Sequence, residues 1–301
     1  DCDFHSLPKT VYQGNDDEWN QIKENYGGNI MIKQETVYEM RLVSALEKVF
    51  LDERPVYRPE CMKLTALKGE TVSFQAACTC TSFMKNRVKV RIESPISDRI
   101  HVRKVENVPA GRVCGPIVDD NYLKTESGLY PDLLRELVDG EVDIFPQKWR
   151  SIWIDIEVTE DVKAGLYPVT VILEKDGETL ARAATEVTIY DAVLPKQKMM
   201  HTEWFYLDCL ADYYHVPVFS EEHWEIITNY LKEYVKRGCN MILTPLFTPA
   251  LDTAVGIERT TTQLLDVRVE NGNYSFGFDR VKKWIDLCQS CGIEYFEICH
   301  L

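Results

Sequence analysis

The sequence predicts a multidomain protein in which an antiparallel β-sandwich is followed by an α/β region. Two observations indicate this division. Over residues 37–190 hydrophobic residues alternate with a period of two between frequent turn signals, which is typical of half-buried antiparallel strands. Beyond residue 198 strand-like and helix-like segments alternate instead, which is typical of parallel βα units. Residues 1–36 fit neither pattern and form an N-terminal extension, and the segment 191–198, which contains a proline, is the predicted linker.

The predicted strands of the sandwich carry hydrophobic residues on one face. In "SIWIDIEV" the residues that share this face are Ile152, Ile154, Ile156 and Val158. The segments "TVSFQAAC" and "RVKVRIES" alternate in the same way, and Asp176-Gly177 supplies the turn of a hairpin between two further strands. The stretch 109–147 is less regular, so we expect a long crossing loop there, with one short helix in "YPDLLREL".

Beyond the linker the pattern predicts three strands separated by two helices. The segments "MMHTEWFYLD", "CNMILTPLF" and "IEYFEICHL" have the apolar character of buried strands. We expect the first helix to be capped by Ser220 and closed by Gly238, and the second to be capped by Asp279 and closed by Gly292. This βαβαβ order predicts a parallel sheet.

The connection between the second strand and the second helix is unusually long. It runs over residues 248–278 and contains a predicted hairpin that turns at Asn271-Gly272. Long ordered loops that follow parallel strands often carry binding sites, so we expect this loop to form a wall of a functional site. The alternative is an insertion that has no role in function.

The charge balance limits the classes of partner. The formal net charge is −14, from 48 acidic and 34 basic residues, which argues against nucleic acid or an anionic membrane as the main partner. The sequence contains no apolar run long enough to span a membrane. We therefore expect a cytoplasmic protein with a neutral ligand. The chain does not begin with Met, which leaves a removed leader and secretion open.

The cysteines favour a structural role. Cys288 and Cys291 form a CxxC sequence on a predicted helix, and a structural zinc site would need a second pair at a matching spacing. Because no such pair is evident, we expect reduced thiols and neither a metal nor a cofactor. A redox or zinc-binding role for the CxxC sequence stays open as an alternative.

Candidate site residues are carboxylates and aromatics at the ends of the predicted strands, since nucleotide-binding, zincin and serine-hydrolase motifs are missing from the sequence. In chain order the candidates are Glu203, Trp204, Tyr206, Asp208, Thr244, Thr248, Glu297 and His300. The first four lie on the first predicted strand, and the last two lie on the third.

The alternation of the third strand indicates where its carboxylate points. Phe296 and Ile298 suit the face that packs on helices, which places Glu297 on the opposite face. Glu203 occupies a comparable place on the first strand. Two such carboxylates suit a hydroxyl-rich ligand such as a sugar, on which Trp204 or Tyr206 stacks. Ion pairs buried within the sheet are the alternative use of these carboxylates.

Several longer segments resemble the bacterial family called domain of unknown function 4091, which is related to glycoside hydrolase family 123. They are "RLVSALEKVF", "EWFYLDCLADYY", "NMILTPLFTPALDTAVGIERTT", "YSFGFDRVKKWIDLC" and "GIEYFEICHL". The resemblance implies a β-sandwich followed by a (β/α)8 barrel, of which this chain would carry the first three βα units. It also implies hydrolysis of a 2-acetamido sugar, a β-N-acetylgalactosaminide, by a substrate-assisted mechanism.

The catalytic residues implied by the resemblance do not match this sequence. In the family a consecutive Asp-Glu pair orients the acetamide and protonates the leaving group, whereas here such pairs occur only at Asp17-Glu18 and Asp52-Glu53, in other contexts. We therefore expect the catalytic pair beyond Leu301, and this chain to hydrolyse no glycoside. An incomplete barrel exposes an edge strand, which predicts self-association. A non-catalytic carbohydrate-binding or scaffold protein that uses the sandwich is the alternative.

Overall fold

A computed structural model shows a chain of two compact units that divide between Leu194 and Pro195. The structure describes residues 36–56, 58, 62–82, 87–112, 121–248, 255–256 and 258–298. The candidate His300 therefore lies outside the described residues, as does most of the predicted N-terminal extension 1–36.

The first unit is built from strands. In chain order they are β1 (Tyr38–Ser44), β2 (Lys63–Lys68), β3 (Thr71–Cys80), β4 (Arg87–Glu93), β5 (Ile100–Ala110), β6 (Gly128–Glu136), β7 (Glu141–Asp143), β8 (Arg150–Glu157), β9 (Gly165–Lys175) and β10 (Glu178–Val193). They form two five-stranded sheets, ordered β1-β3-β8-β5-β6 and β2-β10-β9-β4-β7.

One strand pair departs from the predicted antiparallel arrangement. β10 pairs with β2 in parallel, with Glu186 opposite Lys63 and Ile189 opposite Ala66. The other paired strands described in this unit are antiparallel. The prediction of a purely antiparallel unit was wrong at this pair, because a strand's alternating side chains do not reveal the direction of its neighbour.

The two sheets share one hydrophobic core. Side chains from β3 and β8 of one sheet and from β9 and β10 of the other belong to a single buried cluster. The predicted face of β8 is confirmed, since Ile152, Ile154 and Ile156 are fully buried. The predicted turn at Asp176-Gly177 is also confirmed, with φ values of 50° and 85° that suit a two-residue hairpin.

The predicted helix in "YPDLLREL" was wrong, whereas residues 113–120 of the predicted loop lie outside the described residues. The segment "YPDLLREL" contributes to β6, which pairs with β5 at the edge of its sheet. Pro131 is tolerated there because an edge strand leaves one side of its backbone unpaired. Pairing across the sheet thus outweighs the helix propensity of the Leu, Arg and Glu residues. β10 extends to Val193, so the start of the predicted linker 191–198 belongs to a strand.

The second unit combines helices with short strands. In chain order they are α1 (Leu207–Tyr214), α2 (Glu221–Lys236), β11 (Met241–Thr244), β12 (Asp266–Glu270), β13 (Asn273–Gly277), α3 (Asp279–Cys291) and β14 (Tyr295–Ile298). β11 and β14 are parallel, and Thr202 forms a further parallel bridge to Met241.

The first predicted strand of this unit is reduced to that single bridge. Thr202 is its paired residue, and the chain enters α1 at Leu207. Leu207, Leu210 and Ala211 lie at helical spacing and are buried, so the apolar run "FYLDCLA" serves a helix rather than a strand. Asp208 therefore lies in the first turn of α1, and its predicted place on a strand was wrong.

The two predicted helices are confirmed with one change. Ser220 caps α2 by accepting a hydrogen bond from the His223 amide at 3.2 Å. Gly238 and Gly292 follow α2 and α3 with φ values of 89° and 108°, as expected for residues that end helices. Asp279, however, is the first residue of α3 rather than its cap, which is Phe278.

The parallel strands have two different faces. Ile242 and Phe296 pack with Trp284 in the cluster formed with the helices. Leu243 is paired with Glu297, and both therefore lie on the opposite face. The predicted orientation of Phe296 is confirmed, whereas Ile298 is 56% exposed and contributes little to the helix face.

β12 and β13 form an antiparallel ribbon whose predicted turn at Asn271-Gly272 is confirmed by φ values of 50° and 79°. Its polar face carries charged and hydroxyl side chains. Its other face is apolar and between 37% and 68% exposed, and consists of Val267, Val269, Tyr274 and Phe276.

The cysteines of the CxxC sequence lie on α3. Cys288 is fully buried and Cys291 is partly buried, and both are free thiols. Burial is the main cause that raises the pKa of Cys288, and the neighbouring Cys291 adds to it. Within the described ranges no group of three or more His, Cys, Asp or Glu side chains is placed to share a metal ion.

Among the residues that the structure describes, no helix has the length and apolar character needed to cross a membrane.

Candidate functional site

The candidate site begins with the segment that leads from Thr202 into α1. Asn240 fixes the start of this segment, because its side-chain oxygen accepts the His201 amide at 2.8 Å. The backbone amides of Asn240 and Met241 in turn donate to the His201 carbonyl, each at 3.1 Å. These bonds set the register between the segment and β11.

The hydroxyl of Tyr234, on α2, holds the next residue of the segment. It accepts the Glu203 amide at 2.7 Å, and it lies 2.7 Å from the Glu203 carbonyl and 2.8 Å from the Met241 carbonyl. Burial raises the pKa of Tyr234, so the hydroxyl keeps the proton that it donates to these carbonyls. The backbone of Glu203 is therefore fixed from the helix side.

The side chain of Glu203 is exposed, and its carboxylate lies 3.2 Å from Nε2 of His201. Glu297 is partly buried on β14, and within the described residues its carboxylate makes no hydrogen bond or ion pair. The alternative of a buried ion pair is therefore wrong for Glu203, while for Glu297 it stays a prediction. Both remain able to accept hydrogen bonds from a ligand.

Two aromatic side chains follow Glu203. Trp204 is 57% exposed, and its ring makes an edge-to-face contact with Tyr206 at a centroid separation of 6.3 Å. Trp204 thus offers an accessible aromatic surface that is supported by a second ring. This pair is the part of the predicted site that the structure most clearly brings together.

Asp208 is engaged in an ion pair that the sequence did not predict. Both of its carboxylate oxygens accept from the guanidinium of Arg259, through Nε and through Nη2, the latter at 2.8 Å. The Asp208 hydrogen bond is the main cause that raises the pKa of Arg259. The guanidinium carbon also lies 5.0 Å from the centre of the Tyr206 ring. Asp208 is thus linked to the aromatic pair through Arg259, and its predicted contact with a ligand stays a prediction.

The long connection after β11 returns to both α1 and the end of β11. Thr260 donates to Asp212 of α1 at 2.8 Å. Thr262 donates its amide to the hydroxyl of Thr248 at 3.2 Å, and Leu264 donates its amide to the Pro245 carbonyl at 3.0 Å. Residues 249–254 and 257 lie outside the described residues. The role of this loop as a wall of the site stays a prediction.

Two of the threonines have structural partners. The hydroxyl of Thr248 accepts the loop amide just described. Thr244 is buried at the end of β11 and accepts the indole N–H of Trp284 at 3.3 Å. Thr244 therefore belongs to the helix-side core, whereas Thr248 lies at the base of the loop. Arg259 is the residue that the sequence did not single out, since a loop arginine has no periodic pattern that marks it.

Two family models match the chain in succession. The Glycoside hydrolase 123 N-terminal domain matches residues 50–175, and the Glycoside hydrolase 123, catalytic domain matches residues 204–301. The chain is related to glycoside hydrolase family 123. The predicted relation to family 123 is thereby confirmed, while the narrower assignment to domain of unknown function 4091 stays a prediction. The catalytic-domain match of family 123 begins at Trp204, the exposed member of the aromatic pair.

Comparison with solved structures gives evidence on the fold of the chain. A family 123 glycoside hydrolase from Clostridium perfringens, studied for glycolipid glycan hydrolysis, has a TM-score of 0.66 and 17% sequence identity over 86% of this chain. The chain spans 46% of that relative, which is about half of its length. This likeness shows a fold of the family 123 type.

A second structure, the N-terminal domain of PorA, has a TM-score of 0.25 and 11% identity over 51% of this chain and 99% of its own, which is too low to indicate a shared fold. No curated protein matches the chain.

Proposed function

We propose that this chain is part of a glycoside hydrolase that acts on a 2-acetamido sugar, a β-N-acetylgalactosaminide. The observation that carries this proposal is the succession of the two family 123 models over both units of the chain. In architectural terms, we propose a β-sandwich followed by the first three βα units of a (β/α)8 barrel, with β14 at an open edge that favours self-association.

The proposed sugar site lies where the parallel segments end. Trp204 provides the surface on which the apolar face of a sugar ring stacks, with Tyr206 behind it. Glu203 and Glu297 accept hydrogen bonds from sugar hydroxyls. Thr248 and His300 complete the proposed wall. Asp208 acts through Arg259, because its side chain is buried and accepts from that residue with both oxygens.

The proposed reaction is substrate-assisted. The acetamide oxygen of the sugar attacks the anomeric carbon as the glycosidic oxygen leaves, one carboxylate orients the acetamide, and a second carboxyl protonates the leaving oxygen. The pairs Asp17-Glu18 and Asp52-Glu53 precede the catalytic-domain match. We therefore propose that the two catalytic carboxyl groups belong to a part of the catalytic domain beyond Leu301, and that these 301 residues supply substrate binding alone.

Calorimetric titration of the chain with N-acetylgalactosamine tests the binding role. We expect saturable binding. Trp204→Ala should weaken the affinity about tenfold, which corresponds to an aromatic contact of about 1.4 kcal/mol. Glu297→Gln should also weaken the affinity. Tyr213→Ala and Glu222→Gln are matched controls, because both side chains are exposed on helices. Loss of affinity in the controls equal to that in Trp204→Ala would refute the assignment.

A hydrolysis assay tests the catalytic part of the proposal. The chain should release no aryl alcohol from an aryl β-N-acetylgalactosaminide, since no acid is proposed within it. Measurable turnover by the purified chain, removed by Glu203→Gln or Glu297→Gln, would contradict this and would place the acid among the described residues.

A further inference from the structure

A continuous set of contacts leads from a buried charge to the exposed aromatic surface. Asp208 is 5% exposed, and its two carboxylate oxygens accept from Nε and Nη2 of Arg259. The guanidinium lies over the Tyr206 ring, and Tyr206 meets Trp204 edge to face. Each contact in this set restricts the next side chain toward solvent.

The chemistry of the set requires an arginine. A planar guanidinium can donate two parallel hydrogen bonds to a carboxylate and at the same time present a flat cationic surface to an aromatic ring. A lysine ammonium keeps the charge but offers neither the paired geometry nor the flat stacking surface. The carboxylate, for its part, is buried in the first turn of α1 and needs a paired cation there.

A second tether joins the loop to α1 beside the first. Thr260 donates to Asp212, which lies one helical turn after Asp208 on α1. This bond attaches the same loop to the same helix through neutral chemistry. It therefore separates the effect of attaching the loop from the effect of placing the rings.

We propose that Asp208 and Arg259 are positioning residues that hold the Tyr206 and Trp204 rings in the orientation needed to stack on a sugar. This inference rests on the proposed function of Trp204 as the stacking surface. It adds that ring placement depends on an ion pair between α1 and the loop, and that Arg259 governs the affinity of the site without touching the ligand.

The test uses the full chain with 5-fluorotryptophan, in which the Trp204 signal is assigned by its loss in Trp204→Phe. Arg259→Lys and Asp208→Asn should shift and broaden the Trp204 fluorine signal and weaken binding of N-acetylgalactosamine about tenfold, within the range of a cation–π contact. The effects of the two substitutions should not add in the double variant, because each breaks the same contact.

Thr260→Val is the matched control: it removes the bond to Asp212, and it should leave the Trp204 signal and the affinity unchanged. An unshifted Trp204 signal in Arg259→Lys would overturn the proposal, as would an equal loss of affinity in Thr260→Val. Arg259→Lys keeps the test usable if Asp208→Asn fails to fold. If wild type does not bind the sugar, or Trp204→Phe binds as tightly, the proposed function fails, and the fluorine signal still decides whether the ion pair places the rings.

Discussion

The two units use their strands differently. In the first unit long strands bury one face completely, as in β8, where Ile152, Ile154 and Ile156 are all fully buried. In the second unit β11 and β14 have four residues each, and each carries one polar residue near its end, Thr244 and Glu297. The difference teaches that the strands of the first unit form its core by themselves, whereas the short strands of the second unit share a core with the helices.

The two units also treat a buried carboxylate differently. Asp155, on β8, accepts from Ser73, Trp153 and Arg103 within its own sheet. Asp208 accepts from Arg259 across the loop, and that pair supports an aromatic surface open to solvent. Asp155 therefore accepts hydrogen bonds from side chains on one face of its sheet, whereas Asp208 links α1 to the loop beside the candidate site.

The largest effect should come from removing one buried aromatic ring from the core of each unit. Phe74→Ala in β3 and Trp284→Ala in α3 each remove a fully buried ring, so each should lower the free energy of unfolding of its own unit by about 3–5 kcal/mol. Hydrogen exchange resolved by residue measures this, with loss of protection in the strands or helices that contact the missing ring.

The matched controls are Leu166→Ala and Phe276→Ala, whose side chains are more than half exposed. They should change stability by no more than about 0.5 kcal/mol. If Phe276→Ala cost as much as Trp284→Ala, the ribbon face would be part of a core, and the description of the second unit would have to change.

A smaller effect should separate the two carboxylates. Asp155→Asn leaves Arg103 only its 3.9 Å contact with the exposed Glu136 and should destabilise the first unit by about 3 kcal/mol. Sugar binding should remain as in wild type, because the proposed site lies in the second unit. Chemical denaturation and calorimetric titration measure the two quantities. Equal stability with weakened sugar binding would reverse the roles assigned to the two units.

The pH dependence of the second unit should follow His223. Its Nδ1 accepts the Phe219 amide at 2.9 Å, and its Nε2–H donates to the Leu207 carbonyl at 3.0 Å, which requires the neutral ring. Burial lowers the pKa of His223, and the bond to Leu207 opposes this only in part. Between that lowered pKa and about 6.5 the unfolded chain binds a proton that the folded chain does not, so stability falls with falling pH.

We expect the loss not to exceed about 1.4 kcal/mol per pH unit in this window, and to vanish above it. His223→Gln should remove this part of the pH dependence. Denaturation of wild type and variant at a series of pH values measures the difference. A difference that stays constant from pH 7 to pH 5 would contradict the assignment.

The smallest effect should come from the two turn glycines. Gly177 and Gly272 have φ values of 85° and 79°, and an added Cβ would meet nothing within 4 Å at either. Alanine should therefore cost about 1 kcal/mol of backbone strain in both hairpins. For Gly177→Ala, the backbone amides of β9 and β10 should lose protection from hydrogen exchange. For Gly272→Ala, only the amides of the ribbon should lose protection. Loss throughout the second unit in Gly272→Ala would show that the ribbon stabilises the sheet.

Much of the fold could be predicted from the sequence wherever the spacing of hydrophobic residues favoured only one type of secondary structure. The buried face of β8 and the extents of α2 and α3 follow from periods of two and 3.6 residues. The failures lie where two signals compete. The residues of β6 favour a helix but pair with β5, and the aromatic run before α1 resembles a strand although Leu207 and Leu210 are spaced for a helix.

The site could be predicted only in part. Trp204 and Tyr206 were identifiable as aromatics near a strand end, and the structure places their rings in contact. The pairing of Asp208 with Arg259 spans 51 positions of the sequence. No local spacing reveals such a pair, because it depends on how the loop folds back onto α1.

The most direct test is an NMR titration of the whole chain with N-acetylgalactosamine, with the backbone amide shifts followed in both units. The account predicts saturable shifts at residues 203–206, at the ends of β11 and β14, and at Arg259, with the sheets of the first unit unchanged. Shifts confined to the first unit would instead favour a carbohydrate-binding sandwich and contradict the sugar site proposed here.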